Sequence, residues 1–449
     1  MFDCLPGFRD FYPEDCLRRN YLFKRWQQVG YTFGFQEYDI PTLEPLDLFT
    51  EKSGPEIVSQ LFHFEDQGGR KVALRPELTP SLARMVGSKA NSLKRPIKWF
   101  NIAENFRYER QQKGRLRSHY QLNGDIFGEA GTGADAEVIN FCLQALIAFD
   151  LTPNEIRLRL SDRTLWVLFL EGLGHTGEAA SSILSVVDRM ERMEWPEVTK
   201  HLNPYFGDAT DDFIAQLENL KSIRSADELD AFFSSQAISK EMKEKLTERL
   251  GEWKSLLSDL NALGLAEYFQ IDLGIVRGLA YYTGFVFEVF ALNSRGEFTG
   301  RALAGGGRYD HLIGKLGYTD LPAVGFGMGD VTLTDLLVER KKLPPLVDAP
   351  DVFMVVGGEE ERPMALADAS VLRGLNYKVS YPLKQQGFGK QFKLAGQSGA
   401  QFAFIYGSEE REVDSVKVRD LKSGDEKLVP RKQFAQQISA WVESGLTSS

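Results

Sequence analysis

Between Arg107 and Arg117, five cations (Arg107, Arg110, Lys113, Arg115, Arg117) face one acid, Glu109. That is a local balance of +4 in a chain whose formal net charge is -10. Guanidinium forks bind phosphate oxygens in pairs, so arginines grouped this way suit a polyphosphate. A charge run by itself is more often a solvated face. What lifts this one is the pair Gln121 and Asp125, four residues apart just downstream. On a strand that spacing puts both polar side chains on one face, beside the cations.

The elements that must hold these groups are legible around them. Pro96–Phe106 and Tyr120–Phe127 read as strands, with Gln111–Gly114 as a flexible connection between them. Elsewhere, Leu74-Arg75-Pro76-Glu77-Leu78-Thr79 sets a carboxylate and a hydroxyl beside a stiffening proline. Glu77 and Thr79 together can accept from an ammonium group; equally, Pro76-Glu77 can simply start a helix over Leu78–Val86. The stretch Ile275-Val-Arg277-Gly-Leu-Ala280-Tyr281-Tyr282-Thr-Gly284 offers an arginine beside a glycine and two tyrosine hydroxyls, before a strand at Val286–Phe290. A strand-edge arginine with two core tyrosines accounts for it as well. Ala304–Asp310 reads as a glycine-rich turn into a helix, and Gly325-Phe-Gly-Met-Gly329 is a second glycine cluster. Neither is a P-loop or a dinucleotide fingerprint.

With 449 residues the chain holds two or three domains, and its 43% hydrophobic and 26% charged content is that of a soluble globular protein. The acidic balance argues against indiscriminate nucleic-acid binding but allows docking on local basic patches. Three scattered cysteines fit a reducing compartment, and five dispersed histidines give no zinc spacing, so neither bound zinc nor any other protein-held metal site is expected. No run is long and apolar enough for a membrane span, and no signal peptide is evident; a cytoplasmic enzyme with no membrane partner is the expectation.

A helix opens at Pro13-Glu14-Asp15 and stops near Gly30. Asp135–Phe149 carries Ile139, Cys142, Leu143, Leu146 and Ile147 at helical spacing, a core face with Cys142 a small buried hydrophobe. Charge-laced helical segments fill 161–265, read as an insertion into a main domain formed by residues 1–160 and 266–340. The proline-rich stretch 341–350 reads as a linker. Beyond it, in 351–449, strands at Val352–Val356, Tyr377–Tyr381, Phe402–Tyr406 and Ser415–Arg419 alternate with helices, implying a small α/β domain on a mixed sheet.

Taken in order, these segments resemble the class II histidyl-tRNA synthetases over nearly the whole chain. Pro41–Glu44 is similar to the family's first class II motif, part of a dimer interface, and Phe106–Gly128 to the second. Arg277–Gly284 resembles the histidine-specific signature, usually written Arg-Gly-Leu-Asp-Tyr-Tyr, and Gly305–Asp310 a further one. The resemblance implies an α+β catalytic domain on a mainly antiparallel sheet, a helical insertion and a C-terminal α/β anticodon-binding domain. It also implies a homodimer that activates histidine with ATP, accompanied by Mg2+, and transfers it to the 3′ end of tRNA(His). Glu77, Thr79 and Gln121 would bind the α-amino group, Asp125 and Tyr281 the imidazole, and Tyr282 the pocket wall. Arg107 would take the α-phosphate, Glu109 the adenine side, Arg115 the outer phosphates, and Arg277 the charge growing at the α-phosphorus. An acid at 125 rejects apolar side chains, which would leave it unpaired.

Two positions depart from the pattern. Ala280 replaces an aspartate, and Thr332 stands where an ATP-binding arginine is usual, with Arg308 one cation that could compensate. The missing arginine favours the rival reading, a non-catalytic histidine-sensing paralogue such as the regulatory subunit of ATP phosphoribosyltransferase. Retention of Arg107, Glu109, Arg115, Arg277 and the C-terminal domain favours the ligase. Of the remaining loop cations, Arg110, Lys113 and Arg117 suit tRNA approach or solvation, and Lys390 and Lys393 read as solvated surface lysines.

Overall fold

The computed structural model describes residues 2–53, 55–108, 115–190, 193–236, 238–276 and 281–444. Two compact units divide the chain, Met1–Pro344 and Pro345–Ser449, a boundary inside the proline-rich stretch.

In the first unit the strands are β1 (Gln36–Glu37), β2 (Leu43–Pro45), β3 (His63–Glu65), β4 (Lys71–Leu74), β5 (Ile97–Phe106) and β6 (Ser118–Phe127). They continue with β7 (Ile156–Asp162), β8 (Phe269–Ile271), β9 (Phe285–Leu292), β10 (Phe298–Arg308) and β11 (Ala323–Gly329). Eight of them form one sheet in the order β1-β5-β6-β11-β10-β9-β7-β8. The six central strands pair antiparallel, and only the edge pairs β1/β5 and β7/β8 are parallel. This is the mainly antiparallel sheet expected. The strands β2, β4 and β3 make a small separate sheet.

Side-chain alternation divides the large sheet into two chemically different faces. On β6, Leu122 and Ile126 are buried in the main hydrophobic core, as are Phe326 and Met328 on β11. The helix Thr132–Ile147 lies on that face, and of the predicted core residues Ile139, Cys142, Leu143 and Leu146 are fully buried, while Ile147 is only partly buried. Phe141 fits only because residue 124 of β6 is glycine; a Cβ there would press into the ring. The other face presents Gln121, Asn123 and Asp125.

The helices Arg163–Gly172, Gly177–Arg189, Trp195–Phe206, Thr210–Ser222, Ala226–Ser234 and Lys240–Ala262 follow β7. They share the sheet's core and are tied to it through Asp162, the last residue of β7. Asp162 caps the first of these helices, accepting from the Leu165 N–H at 3.2 Å. It also accepts from Arg249 at 2.6 and 3.0 Å and from the Trp253 indole at 2.8 Å, drawing the last helix back to the strand. Removing one partner from such a buried pair costs about 3–5 kcal/mol.

The second unit has strands β12 (Val352–Val356), β13 (Val379–Ser380), β14 (Phe402–Tyr406), β15 (Ser415–Asp420) and β16 (Glu426–Pro430) in the order β13-β12-β14-β15-β16. β12 pairs parallel with β13 and β14, while β14/β15 and β15/β16 are antiparallel, giving a mixed sheet. The helices Arg362–Gly374 and Arg431–Ser444 pack their apolar sides on one face, around Phe404, Phe434 and Trp441.

Candidate active site

The polar face of the large sheet forms the floor of a cavity of about 680 Å3. Its walls include Glu77, Thr79, Arg107, Arg115, Gln121, Asp125, Tyr281 and Tyr282, every predicted site residue that falls within the described part of the chain. Glu109, Arg277 and the departure at Ala280 lie outside the described residues.

Local chain geometry explains the convergence. At the end of β5 the Phe106 N–H donates to the Arg75 carbonyl at 2.9 Å, and Arg107 Nε donates to the Pro76 carbonyl at 3.0 Å. The segment 75–79 is thereby laid against the β5–β6 hairpin, which brings Glu77 and Thr79 to the cavity. Thr79 opens the helix Thr79–Gly87, so the helix-start reading and the binding reading of this segment are compatible. Asn105 on β5 donates to the Gln121 side-chain oxygen at 3.0 Å and orients that amide.

Glycines make the floor. Gly325 of β11 sits directly across from Asp125, and a Cβ on it would overlap Asp125 Oδ1. A Cβ on Gly327 would likewise overlap the Gln121 amide nitrogen. The Gly305–Gly307 run is also strand, not the turn into a helix that its composition suggests. A helix begins only at Leu312, and a Cβ at Gly306 would collide with the Gly325 carbonyl and Phe287. Close strand neighbours, not a turn, demand these glycines.

The cavity has two chemically opposite ends. At one, Asp125 is almost fully buried, and burial pushes its carboxyl up to about 7, a rise opposed by a hydrogen bond from the Tyr309 hydroxyl at 2.5 Å to Oδ1. Asp125 Oδ2 and Asn123 Oδ1 are both buried without a hydrogen-bond partner. An acceptor left in this state favours a ligand that brings N–H donors. Tyr281 and Tyr309 meet edge to face at 6.0 Å, and Tyr281 and Tyr282 lie 4.7 Å apart, closing an aromatic wall around it.

At the other end are Arg107, Arg115 and His119. Burial first, then the positive charges of Arg107, Arg9 and Arg115, push the His119 imidazole down to about 3, so it is neutral at physiological pH. This end is electropositive and suits an anion. Among the described residues no group of His, Cys, Asp and Glu could hold a metal ion.

Comparison with known proteins finds matches to both units of the chain. The Histidyl-tRNA synthetase family model matches residues 7–331, and an Anticodon binding domain model matches 351–441. The Histidine--tRNA ligase of Opitutus terrae is 50% identical over 440 residues, covering 97% of this chain and 98% of its own length. The chain belongs to the histidyl-tRNA synthetase family. The chloroplastic/mitochondrial Histidine--tRNA ligase of Arabidopsis thaliana is 37% identical, covering 94% of this chain and 83% of its own. In fold, the chain is similar to the histidyl-tRNA synthetase of Nostoc sp. PCC 7120, with a TM-score of 0.77 at 24% identity, over 98% of this chain and 99% of that one.

Against the synthetase pattern, the structure corrects one expectation and adds residues. Arg308, the cation that could compensate for Thr332, has its guanidinium committed elsewhere. It is buried at 5% exposure, pairs with Asp135 at 2.5 Å and Asp310 at 3.3 Å, and donates to the carbonyls of Glu129 and Gly131. It is not among the residues lining the cavity, whereas Thr332 is. Arg117, read as a solvated or tRNA-facing cation, lies over the Tyr108 ring at 4.6 Å and packs on Gly7. Sequence reading missed Asn123, although period-two spacing between Gln121 and Asp125 points straight to it. It quoted Tyr309 without giving it a role, and it missed Arg301 altogether.

Proposed function

We propose that this chain is a histidine–tRNA ligase that joins histidine to ATP as histidyl-adenylate and passes the histidyl group to tRNA(His). The observation that carries the reading is one cavity with buried, unpartnered acceptors at Asp125 and Asn123 at one end and arginines at the other. Histidine brings an imidazole N–H and an ammonium group; ATP brings phosphates. Asp125 and Tyr281 hold the imidazole, Tyr282 walls the pocket, and Glu77, Thr79 and Gln121 accept from the α-amino group. Arg107 binds the α-phosphate, Arg115 the outer phosphates, and Glu109 the adenine side.

With both substrates held, a carboxylate oxygen of histidine attacks the α-phosphorus and displaces pyrophosphate. A terminal ribose hydroxyl of tRNA then attacks the acyl carbon, and AMP leaves. Arg107 and Arg277 stabilise the charge that grows at the α-phosphorus, so catalysis is positioning plus electrostatics, with no protein nucleophile. Mg2+ takes most of its ligands from phosphate oxygens and water, which fits a cavity with a carboxylate, Glu288, on its wall and no dedicated cage among the described residues. When bound it would neutralise charge on those oxygens.

The C-terminal match to an anticodon-binding domain supports tRNA as partner and weighs against a histidine sensor without chemistry. The reading includes a homodimer, with Pro41–Glu44 at its interface, in the cytoplasm; among the described residues no helix is long and apolar enough to cross a membrane. The test is pyrophosphate exchange into ATP, which must depend on histidine, followed by charging of a histidine-specific tRNA. Histidine binding with no exchange would reverse the conclusion in favour of the sensor.

A further inference from the structure

The pairing of β9 with β10 is interrupted in one place. Thr299 pairs with Ala291 and the next pair is Ala304 with Val289. One residue of β9, Phe290, therefore faces four of β10, Gly300, Arg301, Ala302 and Leu303. Gly300 takes a φ of 68°, a conformation that suits glycine, as the strand leaves its ladder. All four bulged residues line the active-site cavity, as does Phe290. Bulges of this kind re-aim side chains and gather beside active sites.

Strand register says which end of the cavity the bulge reaches. Gly307 pairs with Gly325, which pairs with Asp125, so Gly307 stands level with the acceptor end. Ala304 pairs with Met328, which pairs with Leu122, three residues nearer the start of β6. Continuing in that direction to Arg301 leads away from Asp125, toward His119 and Arg115. The wall there contains the uncharged Thr332, in the first turn of the helix Asp330–Glu339. Two other arginines, Arg308 and Arg9, are not among the residues lining the cavity; they pair with Asp135 and with Asp330. The cations lining the cavity among the described residues are Arg107, Arg115 and Arg301.

We infer that Arg301, carried into the cavity by the β10 bulge, binds the outer phosphates of ATP. The bulge supplies from β10 the guanidinium that the Thr332 position lacks. Arg107 approaches the phosphates from the β5–β6 hairpin and Arg301 from the opposite strand pair, so the chain of phosphates lies between two forks. His119 on the same wall is neutral and adds no competing charge.

This inference rests on the ligase reading, and one experiment separates the two. Histidine-dependent pyrophosphate exchange is measured for the full-length wild type and for Arg301→Ala, together with inhibition by AMP, which has no outer phosphates. The expected result is a KM for ATP raised about tenfold or more, with the KM for histidine and the AMP inhibition constant within about twofold of wild type. An ATP KM within twofold of wild type overturns the inference, and so does a parallel rise in all three constants, the mark of a merely structural residue. If Arg301→Ala does not fold, Arg301→Gln is judged by the same constants. A wild type without exchange would instead refute the ligase reading.

Discussion

Tyr309 donates its phenolic hydrogen to one oxygen of Asp125 at 2.5 Å, while the other oxygen of the same carboxylate is buried without a partner. The tyrosine holds Oδ1 and leaves Oδ2 as the acceptor without a partner. A second consequence concerns the charge. Burial favours the protonated acid and the tyrosine bond favours the anion, with burial the larger effect.

The first prediction concerns Asp125→Asn. An acid raised to about 7 in the folded chain, from an ordinary value of 3.8, binds protons better folded than unfolded. Its ionisation therefore weakens the fold as pH rises from about 4 through 7. The asparagine has no such penalty. Ligand-free Asp125→Asn should gain stability over wild type, on the order of a few kcal/mol in denaturant titrations at pH 8, with the gain vanishing near pH 4. The same variant should lose histidine binding about a hundredfold, because an amide cannot replace a charged acceptor. Equal stability differences at both pH values would show that Asp125 is not held in the state described.

Tyr309→Phe tests the opposing force. Without the phenolic donor, the Asp125 carboxyl should rise further above its ordinary range. For histidine, kcat/KM in pyrophosphate exchange should increase with pH through an inflection near 7 in wild type, as the acceptor ionises. The inflection should move to higher pH in the variant. A hydrogen bond to a charged group is worth about 1.5–3 kcal/mol, so the loss at neutral pH should be roughly 10- to 100-fold and should narrow at pH 9. The KM for ATP should not follow.

The glycine floor gives a third prediction. Gly325→Ala drives a methyl group into the space of Asp125 Oδ1, and Gly327→Ala into that of the Gln121 amide. Each should raise the KM for histidine about tenfold or more, through displaced partners rather than lost contacts. Because the floor is strand backbone, overpacking there also costs about 1–3 kcal/mol of stability. Alanine at Gly133, whose Cβ direction is open, is the control and should change neither quantity.

These glycines also mark where sequence reading stopped. Gln121 and Asp125 were legible because a strand alternates its faces whatever it pairs with. The Gly305–Gly307 run was not, because glycine clusters signal turns locally, whereas here the demand comes from β11 and Phe287 across the sheet. Arg301 was invisible for a related reason: a bulge exists only relative to a partner strand, and β9 precedes it by a whole hairpin. In the second unit, β16 escaped because Glu426-Lys427-Leu428-Val429 is mostly exposed and has little apolar alternation to read.

Arg308 and Asp135 supply the last prediction. The Asp135 carboxyl is raised to about 6, by burial first, and Arg308 is the main influence holding it down. Arg308→Ala should leave that carboxylate buried and unpaired, at a cost of about 3–5 kcal/mol at pH 7. The cost should shrink at pH 5, where Asp135 takes up a proton and no longer needs a cation, and adding Asp135→Asn should recover part of it. Denaturant titrations of the single and double variants at both pH values measure this directly. Folded Arg308→Ala should keep an ATP KM within about twofold of wild type, because its guanidinium is committed to Asp135, Asp310 and two carbonyls. A selective rise in that KM, with stability unchanged, would return Arg308 to the phosphate site and remove the need for a cation at 301.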